Sequence, residues 1–566
     1  MDFHSLFQQF LSGDVANRAS TLGSLWVFLP ELIMSGSIVL MLLARLTSVD
    51  RMIPTHWIAL CGGMSAFAIV LLQFSHLTSA AAPGKVLETL QGAAAVKSAA
   101  TTFVSGDIFT GLAVHDGFSV FFRGFLTFFF VFVVALTVLT GIPDDEDAPD
   151  FYSLLSGAVI GMMLMSSANH LLMLFLGIEM ASVPSYAMTG FLKGRRQSSE
   201  AALKFVVYGA GAAGVMLFGI SLLAGLLGTA GFPELAQRFQ AVLAGRTGMQ
   251  DPVMRCAMLA LLMIAVGFAF KLSLVPFHFW CPDAFHGASA EVAGFLSIGS
   301  KAAAFALLVR FTTSLTGDGS GALGGLALSC GVGLGALAIL TATFGNLAAY
   351  SQQNIKRMLA YSTIAHAGYM LMAVSALLVL QSANASGVYH SLDSSARAVE
   401  GLLYYLCVYM FMNLGAFAIV ALIRNQTFSE EINDYKGLAQ QAPVLAICMA
   451  ICMFSLVGIP PLGGFYGKAF IFAALYEAAQ VNWFMWVVLA AGGLNTVISL
   501  FYYLRVAKTM CIDIRPADAP AVTIAASSSP GMYVMLVSGM VVLLGVVVNP
   551  LSTVALHAAQ SLFARM

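Results

Sequence analysis

The sequence predicts an all-α polytopic membrane protein with about fourteen transmembrane helices. Of its 566 residues, 59% are hydrophobic and only 9% are charged, whereas a soluble globular protein carries about 25% charged residues. So few charges could not cover a soluble fold of this size, and the same composition excludes intrinsic disorder. The apolar runs are long, which favours helices over a transmembrane β-barrel, whose short strands alternate in hydrophobicity.

Fourteen apolar runs approach or exceed the roughly 20 residues that a membrane-spanning helix needs. They cover residues 25–45, 57–75, 118–140, 151–168, 170–192, 200–228, 253–277, 291–312, 325–345, 358–380, 400–423, 443–475, 483–505 and 531–555. An even number of spans places both termini on one side of the membrane. We expect that side to be periplasmic, because the short loops on the opposite side carry the larger share of Lys and Arg.

The sequence gives no signal for a bound cofactor or a nucleic acid. Its eight cysteines are scattered, with no CxxC pair and no Cys/His cluster at metal-ligand spacing. There is no glycine-rich phosphate loop, and a net charge of −1 provides no electrostatic basis for binding nucleic acid. The N-terminus also lacks the pattern of a cleaved signal peptide. We therefore expect no metal, iron–sulfur cluster, haem, flavin or nucleotide in this chain.

Five basic residues fall inside the predicted spans and more than three residues from either end, namely Arg123, Lys204, Lys271, Lys301 and Lys468. A charge at the centre of a bilayer costs on the order of 3 kcal/mol on insertion scales, so such residues usually have a function. Of the acidic residues, Glu179 lies in the middle of a span, five residues before Pro184, which disturbs its helix and makes room for water. Lys204 opens the next span and could pair with Glu179. The alternative to a functional role is a structural ion pair for Glu179. For Lys204 it is a side chain that extends its ammonium to the membrane surface.

Two apolar runs are interrupted by proline beside a lysine. Pro276 follows Lys271 closely, and the pair Pro460-Pro461 precedes Lys468. Backbone groups freed by such interruptions must face protein or water, and transporters place ion sites at broken helices. Lys301 lies ten residues into its span among small residues that leave space for a helix or water. Packing alone is the alternative for each of these three lysines.

A row of buried lysines with a carboxylate is suited to carrying protons. A buried ammonium loses hydration, and a nearby carboxylate favours its charged form, so movement of the partner can release or capture a proton near neutral pH. His278 and His366 add imidazole groups, whose unperturbed pKa is about 6.5. Each histidine is equally well interpreted as a hydrogen-bonded packing residue.

The stretches around these residues resemble the antiporter-like membrane subunits of proton-pumping NADH:quinone oxidoreductase, respiratory complex I, and among them subunit N, the counterpart of mitochondrial subunit 2. The matching stretches occur in the family's order across most of residues 116–505. They are Leu176–Tyr186, Glu200–Phe205, Phe270–Asp283, Gly299–Phe305, Gln353–Ser362 with His366, and Gly458–Lys468.

The resemblance implies two inverted five-helix repeats with the seventh and twelfth helices discontinuous. It divides the chain into four parts. These are helices 1–3 with a long loop in residues 1–150, a first antiporter-like repeat in 151–312, a second repeat in 313–505, and the last helix in 506–566.

The resemblance also implies that the chain translocates protons as a subunit of the oxidoreductase. Glu179 and Lys204 would form the pair that tunes the pump, Lys271 would be the central carrier, Lys301 the bridge, and Lys468 the group that passes protons outward. NADH, FMN, iron–sulfur clusters and quinone are expected on other subunits. The partners would be neighbouring antiporter-like and small membrane subunits and the lipid of a bacterial inner membrane.

Two features depart from the family pattern. Glu291 stands where the family commonly has a Thr-Pro-type turn, and it would either bias Lys301 or stabilise the start of its helix. The span 400–423 has no charge beyond Glu400, so transfer from Lys301 to Lys468 would need His366, water, or tyrosines such as Tyr404, Tyr405 and Tyr409. The insertions at 76–116 and 229–252 are either contacts with neighbouring subunits or loops.

Two other functions fit the sequence less well. A subunit of a multisubunit cation/proton antiporter, or of a related complex-I-like assembly, would share the buried lysines. A membrane spacer that only holds a complex together would not need them.

Overall fold

The computed structural model describes residues 24–80, 106–244, 250–383, 391–517 and 520–564. The first half of this part of the chain contains the helices α1 Ser24–Val27, α2 Leu29–Leu46, α3 Thr55–Ala80, α4 Gly117–Thr140, α5 Ala148–Ser167, α6 Leu171–Thr189, α7 Arg196–Leu227, α8 Phe232–Leu243, α9 Pro252–Leu272 and α10 Trp280–Gly287. The second half contains α11 Ala290–Thr316, α12 Ala322–Tyr350, α13 Ile355–Ser382, α14 Ser391–Thr427, α15 Pro443–Val457, α16 Gly463–Val481, α17 Phe484–Cys511, α18 Ser529–Val546 and α19 Asn549–Phe563. A two-stranded antiparallel sheet, β1 Gly106–Ile108 and β2 Ala113–His115, precedes α4.

The predicted all-α membrane fold is confirmed. Thirteen helices in the described ranges are long and apolar enough to cross a membrane. The predicted span 443–475, which Pro460 and Pro461 interrupt, consists of the two helices α15 and α16. Gly458 adopts a left-handed conformation (φ 93°), and the two prolines after it cannot continue α15. The predicted span 531–555 likewise consists of two helices, with Pro550 in the first turn of α19. The two inverted repeats stay a prediction.

Three helices form the centre of the bundle. The most apolar windows of α11 and α13 are buried completely and that of α14 almost completely, whereas α2, α3, α7, α12 and α17 bury about a third or less of theirs. Most side chains around the circumference of α11 and α13 are apolar or small, which is typical of a helix surrounded by other helices. Lys301 and His366 lie on these two central helices.

The two ends of the bundle are defined by different contacts. At one end, Lys193 pairs with Asp147 at 2.7 Å, and Asn425 at the end of α14 donates to the Thr140 carbonyl at the end of α4. Lys356 lies at this same end, which we call the Lys356 end. At the opposite end, called the Asp116 end, the short sheet packs beside the start of α4 and bridges to Ala168.

Buried ion pairs hold the Asp116 end together. Arg310 Nη1 and Nη2 donate to the two carboxylate oxygens of Asp116, at 2.8 and 3.0 Å. Arg123 Nε lies 2.6 Å from Glu31 Oε1, and neither side chain is exposed. Arg123, one of the five basic residues within the predicted spans, therefore has a structural partner.

The two insertions contain ordered structure. In the stretch 76–116, residues 76–80 end α3 and residues 81–105 lie outside the described residues. Residues 106–116 contribute the sheet and the cap of α4. In the stretch 229–252, α8 buries Leu235 and Phe239 while it packs against α11 and α12. Residues 245–249 are also outside the described ranges.

Candidate functional site

Lys271 lies at the interrupted end of α9. The helix stops at Leu272 because Ser273 adopts a left-handed conformation, with φ 58°. The lysine side chain is 3% exposed, and its Nζ donates to the hydroxyl of Ser182 on α6 at 2.9 Å. The hydroxyl is a neutral partner. No carboxylate of a described residue forms an ion pair with this ammonium.

Protein groups satisfy the backbone that the interruption frees. The Leu274 amide donates to the Ala269 carbonyl at 2.8 Å, and the Trp280 indole donates to the Phe270 carbonyl at 3.0 Å. The Val275 amide donates to the Thr341 hydroxyl on α12. Unpaired backbone groups are very costly away from water. These bonds therefore allow a non-helical segment next to Lys271 inside the bundle.

Glu179 lies on α6 one turn from Ser182, half-buried at the side of the bundle. The side chains next to it on α6, Met180 and Val183, are exposed and apolar. The carboxylate interacts electrostatically with Lys271 but makes no ion pair of 4.0 Å or less with a described residue. Although we expected Pro184 to disturb this segment, α6 continues through it to Thr189.

The expected pair of Glu179 and Lys204 is not formed. Lys204 Nζ lies 2.8 Å from Asp283 Oδ2 and 2.9 Å from Glu200 Oε1, and its side chain is 42% exposed. Asp283 also accepts from Arg357 Nη1 at 2.8 Å. Lys204 pairs with Asp283 because of its position along α7. It lies in the first turns of this helix, at the Lys356 end, where Asp283 of α10 is close by. Lys204 is therefore part of a surface network that joins α7, α10 and α13.

Lys301 is buried between central helices. Its side chain is 2% exposed, and its Nζ donates to the Thr363 carbonyl on α13 at 3.0 Å. The thiol of Cys281, fully buried on α10, acts electrostatically on Lys301 and lies near Ser273, whose hydroxyl makes no ordinary hydrogen bond to a described residue. Polar atoms thus lie between the end of α9, next to Lys271, and the ammonium of Lys301.

His366 is held between two tyrosines. Its Nδ1 lies 2.5 Å from the hydroxyl of Tyr405 on α14, and its Nε2 lies 3.0 Å from the hydroxyl of Tyr503 on α17. The ring is 2% exposed and interacts electrostatically with Lys301 and Lys468. A neutral imidazole donates from one nitrogen and accepts on the other, and a tyrosine hydroxyl can do either. The direction of these hydrogen bonds can therefore reverse without moving heavy atoms.

Lys468 fills the interruption between α15 and α16. Its Nζ donates to the carbonyls of Leu456 and Val457 at 3.1 and 2.8 Å, and it lies 4.4 Å from the ring centre of Tyr369. The side chain is 3% exposed. The ammonium is therefore held by carbonyl dipoles and an aromatic face.

His278 has aromatic neighbours. Its ring packs 4.4 Å from those of Phe279 and Phe344, measured between ring centres, and its side chain is buried. None of its contacts among the described residues is with the three buried lysines. Its possible relay role stays a prediction without structural support.

Sequence reasoning missed several partners of the predicted residues. Ser182 had a usable signal, because it lies three residues after Glu179 and so close to it on α6. Thr363 and Tyr503 had no such signal in the sequence. Thr363 contacts Lys301, and Tyr503 contacts His366, from helices far away in the sequence. Asp283 lay within a matching stretch but was given no role.

The described residues contain no group of three or more His, Cys, Asp and Glu side chains placed to hold a metal ion. The absence of any cofactor from the chain stays a prediction.

Comparison with known proteins places this geometry in a family. The family model described as NADH:quinone oxidoreductase/Mrp antiporter, TM matches residues 168–499. The NADH-quinone oxidoreductase subunit N of Anaeromyxobacter sp. (strain Fw109-5) is 40% identical over 428 residues, which cover 73% of this chain and 78% of that protein. The protein of the same name from Desulfitobacterium hafniense (strain DSM 10664 / DCB-2) is 36% identical over 452 residues, covering 80% and 86%.

Solved structures share the fold along nearly the whole chain. A chain of respiratory complex I from Thermus thermophilus with bound aureothin has a TM-score of 0.66 and 27% identity, covering 93% of this chain and 98% of that one. A chain of the Mrp complex from Dietzia sp. DQ12-45-1b has a TM-score of 0.72 and covers 95% and 98%, but at 17% identity this likeness concerns the fold alone. The chain therefore belongs to the NADH:quinone oxidoreductase/Mrp antiporter family of membrane subunits, among the subunit N proteins of NADH-quinone oxidoreductase.

Proposed function

We propose that the chain moves protons along the row Lys271, Lys301, His366 and Lys468, driven by NADH-to-quinone electron transfer on other subunits of the complex. The observation that carries the proposal is the burial of all four side chains at 3% exposure or less, with neutral or carbonyl partners in place of carboxylates. An ammonium in such surroundings gains or loses a proton when a nearby charge changes.

The link from Lys301 to Lys468 runs through His366. A proton leaves the Lys301 ammonium and reaches one ring nitrogen by way of intervening polar groups and one of the hydroxyls of Tyr405 and Tyr503. The imidazole then gives up the proton on its other ring nitrogen to the second of these hydroxyls. That hydroxyl passes a proton on toward Lys468, and the hydrogen bonds then reset. The histidine and the two tyrosines are regenerated, so one proton moves and no bond other than to hydrogen changes.

Glu179 supplies the electrostatic control of Lys271. Its charge favours the ammonium form, although the two side chains are not in direct contact. Because Glu179 lies half-buried at the side of the bundle, a neighbouring membrane subunit can change its surroundings. A change there would alter the proton affinity of Lys271 and so couple this chain to the rest of the complex.

We place the Lys356 end at the cytoplasm and both termini at the periplasm of a bacterial inner membrane. Lys193, Lys356 and Arg357 lie at that end, in agreement with the positive-inside rule. NADH, FMN, iron–sulfur clusters and quinone are assigned to other subunits, and this chain to proton movement.

A second candidate is a subunit of a multisubunit cation/proton antiporter, which the fold of the Dietzia Mrp chain supports. The higher sequence identity to subunit N proteins favours the first candidate.

The experiment uses inverted membrane vesicles that contain the intact complex. Lys271→Ala and Lys301→Ala should lower NADH-driven acidification of the vesicles, while Lys193→Ala, an exposed lysine paired with Asp147, should not. Native gels with in-gel NADH oxidation would show that each complex is assembled. Acidification at the wild-type rate in both assembled variants would refute the proposal, and a sodium requirement without NADH dependence would favour the antiporter.

A further inference from the structure

Glu291, at the start of α11, is a buried carboxylate without a hydrogen-bond partner in the described part of the chain. Its side chain is 1% exposed, and neither oxygen is paired with any residue that the structure describes. The hydrogen-bonding cap of α11 is Ser289, whose hydroxyl accepts from the Val292 amide. Glu291 is therefore free of the capping role that its position allowed. Unpaired buried polar groups are rare in proteins and often mark a function or contact with water.

Charged groups at the Lys356 end surround Glu291 on one side. Lys356 on α13 acts electrostatically on it, while its ammonium donates to the Ala288 carbonyl at 2.7 Å and pairs with Glu430 at 2.8 Å. Arg424 of α14 also pairs with Glu430. On α10, half-buried His286 interacts electrostatically with Lys356, Glu430 and Asp283. Titratable groups thus connect the vicinity of Glu291 with the surface of the Lys356 end.

On its other side, polar atoms lead from Glu291 toward the centre of the bundle. Asn413 of α14 donates to the Ser297 hydroxyl of α11 at 3.2 Å, while its own side-chain oxygen is buried and unpaired among the described residues. Ser297 lies six residues after Glu291, about 9 Å along the helix axis. Water is the carrier that such a distance requires.

The same face of α14 continues to the proton row. Tyr409 lies four residues before Asn413 and so on the same side of the helix. Its buried hydroxyl faces Thr363 and Asn413 without an ordinary hydrogen bond to a described residue. The Thr363 carbonyl accepts from Lys301, and the ring centre of Tyr409 lies 5.2 Å from that of His366. The polar atoms therefore end at two members of the row.

We propose that Glu291 takes up protons at the Lys356 end and delivers them to Lys301 and His366, with Asn413, Ser297 and Tyr409 orienting the water between them. This inference rests on the proposed proton-translocating function. In each cycle a proton from bulk water binds a carboxylate oxygen of Glu291 and then leaves along the polar face, so the carboxylate is regenerated. Glu291 carries the proton, and Asn413 is a positioning residue.

The test compares five variants in vesicles that contain the intact complex. Glu291→Gln should lower NADH-driven acidification by the same factor as Lys301→Ala, and Glu291→Asp should restore most of the lost rate because it keeps the acid. Asn413→Leu should also slow acidification, since it removes the amide that orients water. Glu400→Gln is the matched control, because Glu400 is a buried carboxyl that accepts from Ser552 at the far end of α14. Native gels would verify assembly.

The outcomes separate this proposal from the function on which it rests. Wild-type acidification in Glu291→Gln together with a loss in Lys301→Ala would overturn the uptake role and leave the proposed function standing. Wild-type acidification in both would overturn the proposed function. A loss in both Glu291→Gln and Glu291→Asp, with little assembled complex on the gel, would show that Glu291 is structural and also overturn the uptake role.

Discussion

The ammonium of Lys468 donates to the carbonyl oxygen of Val457 at 2.8 Å across the interruption between α15 and α16. The last carbonyls of a helix have no intrahelical donor, so they need another partner when the helix ends inside the bundle. The interruption thus creates the binding site for the lysine that follows it. Lys468 stabilises the broken segment and is also the last member of the proposed proton row.

We predict that Lys468→Ala weakens both stability and pumping. The carbonyls of Leu456 and Val457 would be left without this donor, and unpaired buried acceptors cost about 1–3 kcal/mol each. The melting temperature of the purified complex should fall, and NADH-driven acidification should slow. Lys508→Ala, at an exposed lysine of α17, is the control that should change neither. An assembled Lys468→Ala complex with wild-type acidification would contradict its transfer role.

Removing one hydroxyl beside His366 should slow proton transfer without unfolding the bundle. Tyr503→Phe keeps the ring but deletes the hydrogen bonds to His366 Nε2 and to the Ser362 hydroxyl. We expect slower acidification and a larger slowing in heavy water than in the wild type. Tyr533→Phe loses a hydroxyl that donates to the Phe132 carbonyl, away from His366, and its acidification should remain normal. Equal rates in the two variants would argue against the His366 link.

The structure predicts that Lys204 and Glu179 act independently. Lys204 pairs with Asp283 and Glu200, so the effects of Lys204→Ala and Glu179→Gln on acidification should be additive, within about 0.5 kcal/mol in activation free energy. Lys204→Ala and Asp283→Asn should instead be non-additive because the two groups are in contact. Strong coupling between Lys204 and Glu179 would show that they pair during turnover.

Breaking the ion pair at the Asp116 end should be severely destabilising. Arg310→Ala would leave the buried Asp116 carboxylate without its bidentate partner, and loss of one member of a buried pair costs about 3–5 kcal/mol. Assembly of the complex, followed on native gels, should drop sharply. Replacing both, as Arg310→Met with Asp116→Asn, should recover part of the assembly. Normal assembly of Arg310→Ala alone would show that the pair contributes little.

The apolar runs determined much of the fold directly. In a bilayer a long apolar segment must form a helix, because no water is present to satisfy its backbone, and so the sequence predicted the spans well. It failed where one apolar run contains two helices, as at α18 and α19, since hydropathy does not register where one helix ends and the next begins. The buried lysines could also be identified from the sequence, because a charged residue inside an apolar run is easily recognised.

Only the tertiary structure decided what those charges contact. Lys204 binds Asp283 and not Glu179, His366 lies between tyrosines of α14 and α17, and Glu291 has no hydrogen-bond partner among the described residues. Such contacts depend on how each helix is rotated and placed against helices that lie far away in the sequence. Hydropathy sets which segments enter the membrane, whereas side-chain packing between helices sets which polar groups meet there.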